Sequence, residues 1–454
     1  MMHGTLSQVA GWAQGRLIGA DVPVRGVSTD TRTLTPGALF VALRGPRHDA
    51  HDLTELARAA GAAALVVERR VSTALPQVVV DDTVQALGRL ARAWRRRLEL
   101  RVVALTGSNG KTTVKTLCAS ILEHVGPTWA TRGNLNNHIG VPLTLLELGP
   151  EHRFAVVEMG ANHPGEIAYL ADLAGPDVAL VNNAGPAHLE GFGSVAGVAR
   201  AKGEIFGALQ SGGVAVFNAD DPHSAIWEAL IKARTRMRFG FHPQAEVRGE
   251  DGPEAGLLHI ASPQGPLQVR LRLSGRHNRL NALAATAAAL AAGAPLEAVA
   301  KGLERVGPVP GRLTLLAARG GAWLLDDTYN ANPASLAAGI EALCEGPGEP
   351  WLILGDMGEL GAEAARLHEE AGRLAREAGV RRLFALGSLA RHAATGFGAG
   401  AAHFEEMESL VRAVDEAIRG GERILVKGSR AMRMERVVAR LRAAGAEGEP
   451  QHAA

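Results

Sequence analysis

The sequence predicts an α/β fold in three domains, and three observations carry that reading. Apolar runs without polar alternation recur along the chain, the pattern of strands buried on both faces. Each run ends in a glycine-containing or polar turn and is followed by a helical segment, the order that builds a parallel sheet covered by helices. The chain has 454 residues, which at roughly 150 per domain gives about three domains, each with its own core.

Residues 1–82 alternate short strands, ALFVAL at 38–43 and AALVVE at 63–68, around a helix at 53–60, as a small N-terminal α/β domain. An Arg-rich helix at 83–97 leads into RVVALTGSNGKTT, where an apolar strand meets a glycine turn and a new helix at 113–124. The strands FAVVEMG, VALVNNAG and GVAVFNADD follow, residues 243–266 read as irregular, and a helix at 279–292 closes a central domain spanning 83–311. From Arg312 a second set, AWLLDDTYN, WLILGDM, RRLFALGS, AHFEEM and ERILVKGS, predicts a C-terminal Rossmann-like α/β domain, 312–454. His368 and Glu369 read as solvent-facing residues of a helix, and the tail EGEPQHAA is expected to fray.

Composition narrows the function. The 48 basic against 47 acidic residues leave +1, so net charge calls for neither nucleic acid nor an anionic membrane, and an anionic ligand has to be held locally. Cys118 and Cys344 are the only cysteines and lie far apart, which excludes a disulfide framework or a CxxC metal site and fits a reducing cytoplasm. The N-terminus has no secretory pattern, and the Ala-rich run at 283–296 is too short and too weakly apolar to span a bilayer. Of the 48 basic residues six are lysines, so each lysine is informative.

In open parallel sheets ligands bind beyond the carboxyl ends of the strands. Those ends carry Gly107, Glu158, Asn183, Asp220, Asp327, Asp356 and Lys427. Turn chemistry explains any one of them; as an account of all seven it is strained.

The segment Gly107, Ser108, Asn109, Gly110, Lys111, Thr112, Thr113 follows a strand and opens a helix, as a P-loop does. Glycines let backbone N–H groups turn toward phosphate oxygens, the helix N-terminus adds partial positive charge, Lys111 reaches the β- and γ-phosphates and Thr112 ligates Mg²⁺. The spacing GxxGKTT is shorter than the common phosphate loop, and a glycine turn with a solvated lysine is the alternative. Glu158 is either a Mg²⁺ ligand or a helix-capping turn carboxylate. His188 is either a metal or phosphate contact or a structural histidine. Lys202 is either a surface lysine paired with Glu204 or an amine that does what arginine cannot, which is to lose its proton and form a carbamate with CO₂.

Together these segments resemble the Mur ligase family, ATP-dependent amide-forming enzymes of peptidoglycan synthesis. The resemblance covers STDTR and PGALFVALRG in the first domain. In the second it covers TGSNGKTT, GNLNNHIGVPLTLL, EMGANHPGEI, NNAGPAHLEGFGS, ARAKGEIF, NADD and GRHNRLNALAA. In the third it covers PGR, DDTYNANP, LGDMGELG and VKGSRAMRME. DDTYNANP with KGSRAMRME resembles the member that joins D-alanyl-D-alanine to a UDP-N-acetylmuramoyl-tripeptide. The chain departs at DAHDL, 49–53, and at Gly358, where a larger residue is common.

The resemblance implies a UDP-binding first domain, a central ATPase domain and a third domain that binds the incoming dipeptide and closes on ATP. It implies that Lys111 and Thr112 hold ATP phosphate and Mg²⁺, and that Glu158, His188 and carbamylated Lys202 organise a second Mg²⁺. Asn278 and Asn281 fall on the adenine side, with a helix N-cap as the alternative for Asn278. Arg312 reaches the γ-phosphate and Asp327 the ribose. Ser28, Thr29, Asp30 and Arg32 fall near the UDP nucleotide, and Asn134, Asn137 and His138 near its sugar, with a packed polar loop as the alternative. Tyr329, Asn330, Asn332 and the loop from Lys427 to Arg430 face the dipeptide. The implied enzyme is a cytoplasmic monomer with small-molecule substrates, no nucleic-acid partner and no membrane insertion. Competing readings are another amino-acid ligase of the family, a folylpolyglutamate synthase-like ligase, a catalytically dead nucleotide-binding scaffold, and a generic P-loop hydrolase.

Overall fold

The computed structural model describes residues 1–45, 48–231, 235–254 and 256–443. The terminal tail therefore lies outside the described residues. Among the described residues there are three large sheets and a two-stranded antiparallel pair, His3–Thr5 with Pro23–Arg25. In the first, the strands run Arg16–Ile18, Gln77–Val79, Ala64–Val67, Leu39–Val41, Val27–Ser28, parallel except for the first pair. Asp82 then caps helix Thr83–Arg95, accepting from the N–H groups of Val84 at 2.8 Å and Gln85 at 2.9 Å. The apolar stripe Leu87, Leu90 and Trp94 belongs to a core that also takes in Leu39 and Val41 of the first sheet and Val102 and Ala104 of the central one. That helix is the packed joint between the two sheets.

The central sheet has nine strands, ordered Thr128–Ala130, Phe154–Glu158, Arg101–Thr106, Val178–Val181, Val214–Asn218, Thr235–Gly240, Val247–Asp251, Leu257–Ser262, Gly265–Arg270. The first seven are parallel and the last two antiparallel. In Arg101–Thr106 alternate residues feed opposite cores: Val102 and Ala104 face one, Val103 and Leu105 the other, where helices Lys111–Glu123 and Arg276–Ala291 pack. Alanines from 282 to 289 let this second helix lie close over the sheet.

Residues 243–266, expected to be irregular, contain the strands Val247–Asp251 and Leu257–Ser262 and the start of Gly265–Arg270, which end this sheet. The signal was weak because the strands are short and half exposed, with Pro266 in the edge strand, where a missing N–H is tolerated. The strands Thr128–Ala130, Thr235–Gly240 and Thr314–Ala317 were also not anticipated.

The third sheet runs Thr314–Ala317, Trp323–Asp327, Glu422–Lys427, Glu349–Gly355, Arg382–Leu386, Ala401–Phe404. All but its first pair are parallel. Leu352 and Leu354 face helix Pro333–Glu345 through Leu336, Ile340 and Leu343, while Trp351 and Ile353 face helices Met407–Ala417 and Glu435–Leu441. Helices on both faces make this a doubly wound unit, with all five expected strands in place.

His368 is a correction: it is fully buried. Its Nε2 accepts from the Met357 N–H at 2.9 Å and its Nδ1 lies 2.7 Å from the Ala364 carbonyl, so it fastens the GDMGEL loop to helix Ala364–Glu377. Glu369 is part-exposed and pairs with Arg373 at 3.1 Å.

Candidate active site

The chain leaves strand Arg101–Thr106, turns through Gly107 to Gly110 and enters helix Lys111–Glu123. Gly110 has φ +76°, and a Cβ there would lie 2.3 Å from Asn281 Oδ1 and 2.6 Å from Asn182 Nδ2, so only glycine fits. No side chain caps this helix, which leaves its first N–H groups for an anion. Lys111 Nζ donates to the Gly107 carbonyl at 2.7 Å, and burial lowers its pKa. Ser108 Oγ and Gly185 tie the loop to the neighbouring strand end, with the Gly185 N–H donating at 2.9 Å. Thr112 and Thr113 follow in the first turn.

An asparagine chain continues from the loop. The Asn109 N–H donates to Asn183 Oδ1 at 2.9 Å; Asn182 Nδ2 donates to the Asn109 carbonyl and to Asn281 Oδ1, both at 3.0 Å; Asn281 Nδ2 donates to Asn278 Oδ1 at 3.2 Å. Asn278 lies inside helix Arg276–Ala291, whose N-cap is Gly275, so the cap alternative is not what the fold uses. Asn182 was not singled out from sequence.

A cavity of about 250 Å³ opens between the central and third sheets, lined among others by Asn109, Gly110, Thr113, Asn278, Asn281, Arg312, Asp327 and Lys427. The third domain thus faces the phosphate loop. The Arg312 guanidinium lies 4.0 Å from the Tyr329 ring centroid, and Asn332 Nδ2 donates to Asn109 Oδ1 at 2.8 Å. Lys427 is buried and bonded to Asp327 Oδ2 and, at 3.0 Å, to the Asn330 carbonyl. Burial lowers the Lys427 pKa, and Asp327 opposes that shift.

Two residues expected beside the dipeptide are therefore engaged elsewhere. Lys427 is half of a buried ion pair in this cavity, and Asn332 caps helix Pro333–Glu345 by accepting from the Ser335 N–H at 2.9 Å. Arg430 is different: its side chain is largely exposed, 3.2 Å from Glu435.

On the other side of the phosphate loop, Glu158 is 2% exposed. Its Oε1 accepts from Asn136 Nδ2 at 2.8 Å, while its buried Oε2 accepts no hydrogen bond and has Lys115 Nζ 3.4 Å away. Lys202 is 1% exposed. Glu204, its expected surface partner, instead accepts from the N–H groups of Gly165 and Ala168, so that alternative fails. Burial, then the charge of Lys111, drives the Lys202 amine well below its usual pKa. His188, at the N-terminus of the short helix Leu189–Phe192, lies 2.6 Å from Glu359 of the third domain.

Asn134, Asn137 and His138 are exposed on the loop that follows Thr131, but Asn137 Oδ1 accepts from the N–H groups of Ile139 and Gly140 where the next helix starts. Thr29, Asp30 and Arg32 line an open cleft of about 690 Å³ in the first domain. Ser28 Oγ is bonded to the Asp30 backbone there, and Arg32 holds the Asp30 carboxyl down at about 2. Two strand ends are turn chemistry: Asp220 accepts from the N–H groups of Phe241 and His242, and Asp356 from those of Leu389 and Ala390.

Three family models match the chain: the Mur ligase family catalytic domain over residues 23–95, the Mur ligase middle domain over 105–289, and the Mur ligase glutamate ligase domain over 311–430. An Escherichia coli protein named UDP-N-acetylmuramoyl-tripeptide--D-alanyl-D-alanine ligase is 46% identical over 456 residues, covering 98% of this chain and 100% of that one. The chain belongs to the Mur ligase family. It is an ATP-dependent ligase with the family's three-domain fold. A Bacillus subtilis protein of the same name is 35% identical, with 96% and 98% covered. Among solved structures, MurF from Acinetobacter baumannii superposes with a TM-score of 0.92 at 37% identity, with 97% and 98% covered. MurF ligase from Thermotoga maritima in complex with ADP gives 0.82 at 27%, with 92% and 97% covered.

Among the described residues no helix is long and apolar enough to cross a membrane, and no group of three or more His, Cys, Asp and Glu side chains is placed to hold a metal. Oxygen ligands suit Mg²⁺, and the orphan Glu158 Oε2 and the Thr112 hydroxyl are of that kind.

Proposed function

We propose that this protein joins D-alanyl-D-alanine to UDP-N-acetylmuramoyl-tripeptide with ATP, in the cytoplasm and as a monomer. Residues 1–82 hold the UDP end, 83–311 bind ATP, and 312–454 bring the dipeptide and close on the nucleotide. The supporting observation is the cavity where Arg312, Asp327 and Lys427 of the third domain face the phosphate loop.

A carboxylate and an amine do not condense at neutral pH, because the oxygen is too poor a leaving group. In the proposed reaction the tripeptide carboxylate attacks the γ-phosphorus, the bond to the bridging oxygen breaks, and ADP departs. Lys111 and Arg312 neutralise the developing charge. The unprotonated dipeptide amine then attacks the acyl carbon, and phosphate leaves from the tetrahedral intermediate as the nitrogen sheds a proton.

Thr112 would hold a Mg²⁺ ion on the ATP phosphates, and Glu158, His188 and Lys202 a second. When bound, the ion neutralises phosphate charge. Lys202 fits its part because a neutral buried amine can attack CO₂ and, on losing a proton, become a carbamate.

Phosphate release from ATP tests the proposal. It should require both UDP-tripeptide and D-alanyl-D-alanine, and the product should carry the mass of both. Release unaffected by the dipeptide, with either L-lysine or meso-diaminopimelate as third residue, would overturn it.

A further inference from the structure

Three lysines, Lys111, Lys202 and Lys427, belong to the site as read above, and Lys301 pairs on the surface with Glu297 at 2.7 Å. Lys115 has no role in that account, yet it is 5% exposed. It lies one helical turn beyond Lys111, on the same face of helix Lys111–Glu123. A buried ammonium persists only where it is paired or hydrogen-bonded, and Lys115 has two contacts: Glu158 Oε2 at 3.4 Å and the Gly133 carbonyl, to which it donates at 3.3 Å.

Those contacts join a strand end and a loop that are already tied together. Besides the Asn136 bond to Glu158 Oε1, the Glu158 N–H donates to Thr131 Oγ1 at 3.0 Å, and the Gly160 N–H donates to the Asn136 carbonyl at 2.8 Å. None of these three bonds reaches the phosphate-loop helix. Lys115 does, and it does so with a charge.

We propose that Lys115 is a positioning residue that holds Glu158 and the loop at 131–138 in register with the phosphate loop, so that the UDP-substrate side and the ATP side of the reaction stay aligned. This rests on the assignment of that loop to the UDP substrate. An alkyl-ammonium places one donor atom between the acid and the carbonyl. A guanidinium is longer and planar, which accounts for a lysine here in an arginine-rich chain.

The test uses the full-length enzyme and Lys115→Met, which fills the same space without a donor. Amide hydrogen exchange at 131–138 should accelerate at least tenfold, with helix 111–123 still protected. ADP affinity measured by calorimetry should stay within twofold. The KM for UDP-tripeptide should rise about tenfold while the KM for ATP changes less than threefold. If the methionine variant does not fold, Lys115→Arg carries the test, because its longer fork should give the same split at smaller amplitude. Unchanged exchange at 131–138, or ADP affinity falling as far as the UDP-tripeptide KM rises, overturns the proposal. The exchange and ADP measurements need no UDP substrate. A wild-type enzyme inactive on UDP-tripeptide would therefore count against the proposed function while leaving Lys115 to be decided by exchange.

Discussion

His188 and Glu359 each hold a left-handed backbone conformation, with φ 54° and 61°, and meet across the boundary between the central and third domains with Nδ1 2.6 Å from Oε2. Such conformations are uncommon outside glycine. The loops that bear them are fixed by other means: His368 bonds to the Met357 N–H on one side, and the following short helix begins at His188 on the other. His188 lowers the Glu359 carboxyl pKa, so the contact favours the charged acid.

The strength of that contact is limited by exposure, since the Glu359 side chain is 54% accessible. Exposed pairs contribute about 0.2 to 1 kcal/mol. Glu359→Gln should therefore lower kcat by no more than about fivefold, consistent with that energy. His188→Ala should cost well over tenfold if the ring also serves the metal. Steady-state kinetics on both variants decide this, and equal losses would mean that the histidine acts only through Glu359.

His368 gives the pH dependence. Burial lowers its pKa below the usual 6.5, with the Ala364 hydrogen bond opposing the shift. Between the lowered folded value and 6.5 the unfolded chain binds more protons, so stability is fully present above about pH 6.5 and declines as pH falls through that window. His368→Gln keeps an acceptor for Met357 and a donor for Ala364 but does not titrate. Its thermal midpoint should depend less on pH between 5 and 7 than the wild type's, and parallel profiles would refute the assignment.

The strands that frame the cleft were legible because they are buried on both faces, so the centres FAVV and ILV are continuously apolar, with charged residues only at the ends. The phosphate loop was legible because a glycine turn between strand and helix has few other uses. The partners of individual side chains were not. No spacing rule reveals that Glu204 turns to the start of another helix, or that Lys427 faces Asp327 from the neighbouring strand. Burial of His368 was missed although it shares a helix face with the small residues Ala371, Gly372 and Ala375. The residue was judged by its type, not by its position on that face. Asn136 stood in a motif of the resemblance, whereas Lys115 lies two residues beyond one, and as a lysine in an arginine-rich chain four residues after Lys111 it carried the one signal that could have found it.

Lys202 sets stability against activity. Its side chain is 1% exposed, and burial with the nearby charge of Lys111 disfavours the ammonium, which costs folding free energy at neutral pH. Lys202→Met should raise the thermal midpoint in CO₂-free buffer, by about 2–4 °C for each kcal/mol recovered, while ligation is lost. Scanning calorimetry beside the phosphate-release assay checks both halves. A less stable variant that retains activity would exclude the carbamate role.

Lys111 and Arg312 should fail differently. Lys111 touches the phosphate loop within its own domain, whereas Arg312 enters from the third domain, braced on Tyr329. Lys111→Ala should weaken ATP binding and slow turnover together. Arg312→Ala should show mainly in kcat, because an interaction made on closure stabilises the transition state more than the open complex. Calorimetric ATP affinities of the two variants settle it, and equal losses of affinity would contradict gating by closure.

Lys427 and Arg430 separate the nucleotide from the dipeptide. Removing Lys427 strands Asp327 as a buried charge, and breaking such a pair by one partner costs about 3–5 kcal/mol. Lys427→Ala should therefore be destabilised and should raise the KM for ATP, whose cavity both residues line. Arg430 has its side chain in solvent, and its N–H donates to Asn330 Oδ1 at 3.3 Å, which keeps the loop beside the DTYNAN segment. If its guanidinium receives the dipeptide carboxylate, Arg430→Ala should raise the KM for D-alanyl-D-alanine by about tenfold or more, as loss of a charge-assisted hydrogen bond of about 1.5–3 kcal/mol requires. Stability and ATP binding should be nearly unchanged. Kinetics with each substrate varied in turn distinguish the two, and an unchanged dipeptide KM in Arg430→Ala would remove this loop from recognition of the amine substrate.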